Sequence, residues 1–324
     1  MRRRLTALPA AAVLAAPLLL TACSGAGDVM VKVKGDYGQR PEVSFPKGDP
    51  AEGLAVRTLE DGKGAEARKG DLVVADYVGY RWSKDGRKLL ASSFAGGRPG
   101  AFPTGLLVPG LDRALTGARP GSRVVAKIPP EDGYGDKGDS VHQVGADDTL
   151  VYVLDVRAVY PRTAAAKGAM RAPSGAGLPR VAPAAAGGAP AITVPRSAAP
   201  KALRACTLIE GGGPRVGKGQ LLALQYEGVF WRDGKVFDSS WADGRASAAT
   251  IGTGQVMKGW DQALIGQKVG SRVLVVVPPA LGYGAKGLAQ AGIKGSDTLV
   301  FVVDVLGAHG KSSGDAAPVE AGCS

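Results

Sequence analysis

GSRVLVVVPP, residues 270–279, is written a second time 149 positions upstream as GSRVVAKIPP, residues 121–130. In the downstream copy a β-branched and leucine run, fenced by Gly-Ser and Pro-Pro, reads as a strand. The same offset lays DTLVFVVDV (297–305) on DTLVYVLDV (148–156) and LGYG (281–284) on DGYG (132–135). It also pairs Leu54 with Leu203, Gly70 with Gly219, and Pro41 and Pro46 with Pro190 and Pro195. One offset recovered on both sides of short insertions marks a duplicated domain, and the period is far too long for a solenoid.

Strands dominate each copy. QLLALQYEGVFW (220–231), RVLVVVPP (272–279) and TLVFVVDVLGA (298–308) are rich in β-branched and aromatic residues between Gly, Pro and Asp. Asp233-Gly234 marks a hairpin turn before KVFDSS. The helical candidate is GWDQALIGQ (259–267), with Trp260 and Leu264 four apart and Gly266 suited to end it; its first-copy counterpart is GLDRALTGA (110–118). The expected fold is α+β: an antiparallel sheet packed on one short helix, present twice. The expected organisation is a leader at 1–22, a tether at 23–40, a first domain at 41–160, an Ala/Pro/Gly-rich linker at 161–189, a second domain at 190–309 and a loose tail at 310–324.

The N-terminus carries its own signal. Arg2, Arg3 and Arg4 precede an apolar run from Leu5 to Leu20, too short and too proline-marked for a membrane span. LTAC (20–23) followed by SGAG resembles a bacterial lipobox, which implies cleavage before Cys23, acylation of that cysteine, and a protein lipid-anchored to the outer face of the cytoplasmic membrane. Cys206 and Cys323 then remain as a candidate disulfide in an oxidising compartment. The net charge is +11 from 40 basic and 29 acidic residues, three of the arginines lying in the leader. Much of the excess sits in 161–202, which holds six basic side chains and no acid. No basic helix or aromatic-interleaved patch accompanies it, so no nucleic-acid partner is expected.

With this skeleton placed, both copies, over about 51–160 and 200–309, resemble the FKBP-type peptidyl-prolyl isomerases. The second carries Tyr226-x-Gly228, DGKVFDSS (233–240), GQVMKGWDQAL (254–264), GSRVLVVVPPALGYG (270–284) and DTLVFVVDV (297–305) in the family's order and spacing. The resemblance implies a twisted sheet wrapped around the helix, with an apolar pocket between them for proline-containing polypeptides. Such chemistry needs no nucleophile, metal or cofactor. An X-Pro bond is held by an amide-resonance barrier of roughly 18–20 kcal/mol. A pocket that prefers the twisted amide by about 5 kcal/mol accelerates its rotation a few thousandfold.

Carried across residue by residue, the resemblance makes Trp260 the floor and Tyr226, Phe237 and Phe301 the walls, with Val256 and Met257 at one edge. Tyr283 would offer its hydroxyl to a substrate carbonyl, Ile293 would lie in the covering loop, and Asp238 would sit inside the cavity. Two departures stand out: Ser247 and Ala249 replace a customary pair of aromatics, and the usual arginine falls at Asp243, with Arg245 two residues on.

The first copy departs further. Tyr77, Tyr134 and Tyr152 match the walls and hydroxyl, and Val108 the edge, but Leu111 stands for the floor tryptophan, Leu90 for the wall phenylalanine and Ala91 for the carboxylate. It is expected to be degenerate. The two histidines, His142 and His309, fall in different domains, so no Ser/His/Asp, Cys/His or zinc-type set can be assembled. GGPRVGKG (212–219) approaches a phosphate-binding loop but has Gly219 at the Ser/Thr position and lies between strands, so it reads as a turn. The expectation is a monomeric extracytoplasmic isomerase acting mainly through the second domain; the alternative is a non-catalytic proline-binding chaperone or adaptor lipoprotein.

Overall fold

A hairpin of β1 (Lys32–Lys34) and β2 (Glu42–Ser44) precedes the strands of the first repeat: β3 (Ala55–Glu60), β4 (Leu72–Ser83), β5 (Gly86–Ser92) and β6 (Gly100–Pro103). Helix α1 (Pro109–Leu115), β7 (Arg123–Ile128) and β8 (Thr149–Tyr160) complete it. The second repeat follows the same order: hairpin β9 (Arg180–Ala182) and β10 (Ala191–Thr193), then β11 (Arg204–Ile209), β12 (Leu221–Phe230), β13 (Val236–Ser239), β14 (Ser247–Thr250), α2 (Lys258–Leu264), β15 (Arg272–Val277) and β16 (Leu299–His309). The computed structural model describes residues 29–173, 175, 177–183 and 188–314. The leader, Cys23 and Cys323 lie outside the described residues.

Both sheets are antiparallel and have one topology. Strands lie in the order β3-β7-β8-β4-β5, with β6 also on β4, and β11-β15-β16-β12-β13, with β14 also on β12. The GSRV runs become β7 and β15, buried along their whole length. Each helix packs its apolar face on one side of its sheet: Leu111, Ala114 and Leu115 in the first repeat, Trp260, Ala263 and Leu264 in the second. Both helices are short because their ends are marked. Pro109 sits at the start of α1, and Gly117 (φ +88°) and Gly266 (φ +82°) take the left-handed conformation just past the ends. Asp261 on α2 accepts hydrogen bonds from Gly252 N at 2.6 Å and Gly254 N at 2.9 Å, pinning the loop that leads into the helix.

The other face of each sheet is equally apolar and must also be covered. The two hairpins cover it. Val33, Val43 and Phe45 pack over Val78, Trp82, Val125 and Val153; Val181, Ile192 and Val194 pack over Leu208, Trp231, Leu274 and Val302. The anchors are duplicated too: Trp82 Nε1 donates to Gly48 O at 3.2 Å, and Trp231 Nε1 donates to Ser197 O at 3.1 Å. Thus β1, from the expected tether, and β9, from the expected linker, belong to the folded repeats. Their composition hides this, because a three-residue strand turns only one side chain toward the sheet.

A buried ion pair locks each hairpin's approach. Arg123 meets Asp155 at 2.6 Å and Arg272 meets Asp304 at 2.6 Å, both pairs almost wholly inside. Asp155 also accepts from Gly38 N, and Asp304 from Ala166 N, so the chain ahead of each sheet is tied to the same carboxylate. Cys206, buried on β11 against the covering hairpin, is disulfide-bonded, and its partner lies outside the described residues.

Candidate functional site

The residues singled out in the second repeat converge. Tyr226 and Gly228 come from β12, Phe237 and Asp238 from β13, Trp260 from α2 and Phe301 from β16. Strand register sets the arrangement: Gly228 lies opposite Asp238 on one side and opposite Phe301 on the other. Ring centroids run Tyr226 to Trp260 at 5.3 Å, Trp260 to Phe301 at 5.3 Å and Phe301 to Phe237 at 5.6 Å, each near edge-to-face. Phe230 extends the row, 4.8 Å from Phe237, and is an aromatic that the motif comparison did not mark. Gly228 makes room for it all. A Cβ there would stand 2.7 Å from Phe237 and 2.9 Å from Phe301, so the ring pair seats only over a bare backbone.

The DSS segment holds the polar end. Ser240 Oγ accepts from Tyr226 N at 2.8 Å and donates to the Gln225 side chain, which fixes where β13 leaves the sheet. Tyr226 Oη donates to Asp238 Oδ2 at 2.8 Å. Burial, reinforced by this hydrogen bond and the Asp238 charge, pushes the Tyr226 hydroxyl well up, so it stays protonated and donating. Tyr283 is 38% exposed, and its hydroxyl is pushed up by burial and then by the Asp238 charge. Asp238 differs from expectation in one respect: it is exposed, not enclosed. It accepts from a neighbouring phenol and keeps access to solvent, so it is not a carboxylate stranded in an apolar interior.

Val256, Met257 and Ile293 pack into the same apolar cluster, Met257 at the entry of α2 and Ile293 in the loop before β16. Ile293 is buried, at 4% exposure. The indole N–H of Trp260 is buried without a hydrogen-bond partner among the described residues. Arg245 lies 3.4 Å from Asp243, an exposed ion pair in the turn that follows the DSS segment. Ser247 and Ala249 occupy β14, and partly buried Ala249 touches the cluster with only a methyl group.

The first repeat assembles a different site on the same frame. Tyr77, Leu90, Val108, Leu111, Tyr134 and Tyr152 join one core, and Ala91 opposes Gly79 where Asp238 opposes Gly228. Phe102 on β6 meets Tyr77 edge-on at 5.5 Å. This aromatic was missed because a fixed shift of 149 sets it against Ile251. Hydrogen-bond register instead pairs Phe102 with Val73 and Ala249 with Leu222, making them true counterparts two residues out of step. A cavity of about 180 Å³ remains, lined among others by Leu90, Ala91, Tyr134, His142, Val144 and Tyr152. His142 stacks on Tyr134 at 5.9 Å, and its Nδ1 lies 2.7 Å from Asp139.

The second site thus offers an apolar aromatic row with a tyrosine–carboxylate pair at one end and a buried indole N–H that has no partner among the described residues. Nothing in the row is a nucleophile. Its chemistry is binding and hydrogen bonding.

The family model described as FKBP-type peptidyl-prolyl cis-trans isomerase matches residues 63–157 and again 213–306, more than half of the chain. An FK506-binding protein of Streptomyces anulatus is 37% identical over 117 residues, 36% of this chain and 94% of that protein. The chloroplastic peptidyl-prolyl cis-trans isomerase FKBP13 of Arabidopsis thaliana is 39% identical over 116 residues, 34% of this chain and 54% of that relative. The chain therefore spans about half the length of the latter. The crystal structure of AtFKBP13 aligns at 34% identity over 34% of this chain and 94% of that one, with a TM-score of 0.31. With its two matched segments falling on the two repeats, the chain belongs to the FKBP-type peptidyl-prolyl cis-trans isomerase family.

Proposed function

We propose that the chain is an extracytoplasmic peptidyl-prolyl isomerase that works mainly through its second repeat. The observation that carries this reading is the aromatic row Tyr226–Trp260–Phe301–Phe237 ending at the Tyr226–Asp238 hydrogen bond. A prolyl ring laid against Trp260 between Tyr226, Phe237 and Phe301 gives up its water, while Val256, Met257 and Ile293 close the edges. The amide next to it loses resonance as it twists, so its nitrogen becomes more basic and its carbonyl less delocalised. Tyr283 Oη, neutral and partly exposed, donates to a substrate carbonyl. The Asp238 carboxylate holds Tyr226 in place and supplies a fixed negative field beside the twisting bond. Interactions of this kind accelerate rotation only in so far as they favour the twisted amide over both planar forms.

The first repeat serves as a binding or structural copy. Without the carboxylate, the floor indole and the wall phenylalanine, it keeps an apolar cavity and little that distinguishes a twisted amide from a planar one. Acylation at Cys23 would tether the protein to the outer face of the membrane, where secreted chains fold; this part of the reading rests on LTAC-SGAG alone. The clients are proline-containing polypeptides, and the protein acts as a monomer without cofactor or nucleic acid.

The test is the isomerisation rate of a prolyl peptide with the full chain and with Asp238→Asn. Asp238→Asn keeps an acceptor for Tyr226 Oη and removes the charge; a charge that favours the twisted amide by about 1.5–3 kcal/mol predicts a rate lower by roughly 10- to 150-fold. Full activity in Asp238→Asn would remove the carboxylate from the mechanism. No acceleration by the intact chain would leave the alternative, a proline-binding lipoprotein without catalysis.

A further inference from the structure

The two repeats touch at positions that duplication makes equivalent. Tyr160 ends β8 and His309 ends β16, 149 residues apart, and Tyr160 Oη lies 2.6 Å from His309 Nε2. Ala101 on β6 and Ala248 on β14 hold the same register place, and both enter the small apolar cluster between the repeats with Leu72, Ala223 and Leu306. Lys311 N donates to Gly97 O in the loop after β5 at 3.0 Å. Its mirror counterpart brings Gly244 O, in the loop after β13, to the neighbourhood of Gly70 and Arg162. A contact in which each partner offers the same patch is the isologous interface of a two-fold dimer, here built within one chain.

One residue breaks the symmetry to let the contact close. A Cβ on Gly307 would fall 1.7 Å from Tyr160 Oη, whereas the matching position of the first repeat is Ala158. Gln225 Nε2 also donates to Arg162 O at 2.9 Å, so the chain leaving the first repeat is bound to the second as soon as β8 ends.

We propose that the two repeats dock as an internal pseudo-dimer, and that protonation of the His309 imidazole loosens the dock. The groups facing His309 are Tyr160 and Arg157 from β8 and Asp76 from β4. Arg157 and Asp76 are already paired with each other, and Ser93 Oγ donates to the same Asp76 carboxylate. Burial first, and then the Arg157 guanidinium, hold the His309 imidazole down to about 4, against the weaker opposing pull of Asp76. Burial pushes the Tyr160 hydroxyl up to about 12, so it is a protonated donor for a bare Nε2. Protonation puts hydrogens on both ring nitrogens, removes that acceptor and leaves a cation beside Arg157.

The sign follows from the depressed value. Docking is fully supported above the ordinary histidine range near 6.5 and loses support as pH falls from there through about 4. Between pH 7.5 and pH 5 the docking constant should drop about 30-fold. The loops held at the contact run directly on from β5 and β13, so loosening frees the segment that follows Asp238.

Amide hydrogen exchange on the full chain reads this directly, because Lys311 N–H is bonded across the interface while Val303 N–H lies within the second sheet. After correction for intrinsic exchange, protection at Lys311 should fall about 30-fold from pH 7.5 to pH 5 while Val303 holds. Gly307→Ala should remove Lys311 protection at both pH values and spare Val303. His309→Gln should give a pH-independent Lys311. An unprotected Lys311 at pH 7.5 would overturn the docking. Equal Lys311 protection at the two pH values, or the same fall in His309→Gln, would overturn the role of the imidazole.

Discussion

At the scale of single residues, the site is defined as much by Gly228 as by its rings. Sequence comparison finds the glycine as part of Tyr-x-Gly, but only the strand register shows why it must lack a side chain. Gly228→Ala should force Phe237 and Phe301 apart at a cost of about 1–3 kcal/mol. Thermal unfolding should show the lost stability, and the prolyl-peptide KM should rise with it; an unchanged KM would mean that the ring pair does not touch substrate. Asp238 was legible as the polar member of an apolar set, and its Tyr226 partner was legible as a wall. Their hydrogen bond was not, nor was the carboxylate's exposure, because both depend on the bulge between Val236 and Asp238 and on where β13 ends after Ser239, which the Ser240 bonds decide.

At the scale of elements, the strands and helices could be read from the sequence because their apolar runs are long or strictly placed. The covering hairpins could not. Each of their strands is three residues long, and β9 lies in a segment dominated by alanine, glycine and proline. What betrays them is the sheet they cover: strands apolar on both faces leave a second face that requires a partner. Val181→Ser combined with Ile192→Ser should lower stability by about 1–3 kcal/mol, with a matching shift in denaturant midpoint. The Arg272–Asp304 pair beneath gives a sharper test. Arg272→Met alone should cost about 3–5 kcal/mol by stranding a buried carboxylate. Adding Asp304→Leu should recover part of that loss, though Ala166 N would still lack its acceptor. Full additivity of the two losses would contradict the pairing. Phe102 belongs to this scale too: a two-residue offset confined to the β5–β6 hairpin region hid it from a single-shift comparison, and only pairing with β4 restores its place.

At the scale of the whole molecule, duplication explains the division between the two sites. On the proposed reading one copy suffices for catalysis, and the first repeat has Leu111, Leu90 and Ala91 where the second has Trp260, Phe237 and Asp238, on a core of the same plan. The repeat itself was plain from the sequence. The dock between repeats was not, since Tyr160 and His309 look like ordinary strand ends until they are seen to share one contact. The most direct test of the account compares prolyl-isomerase turnover in the full chain carrying Trp260→Leu with Phe237→Leu against the chain carrying Tyr77→Leu with Tyr152→Leu. The first pair, which copies the first repeat's own residues into the second, should abolish nearly all acceleration, while the second pair should leave it within about twofold. Turnover that survives the first pair and disappears with the second would contradict the assignment and place catalysis in the first repeat.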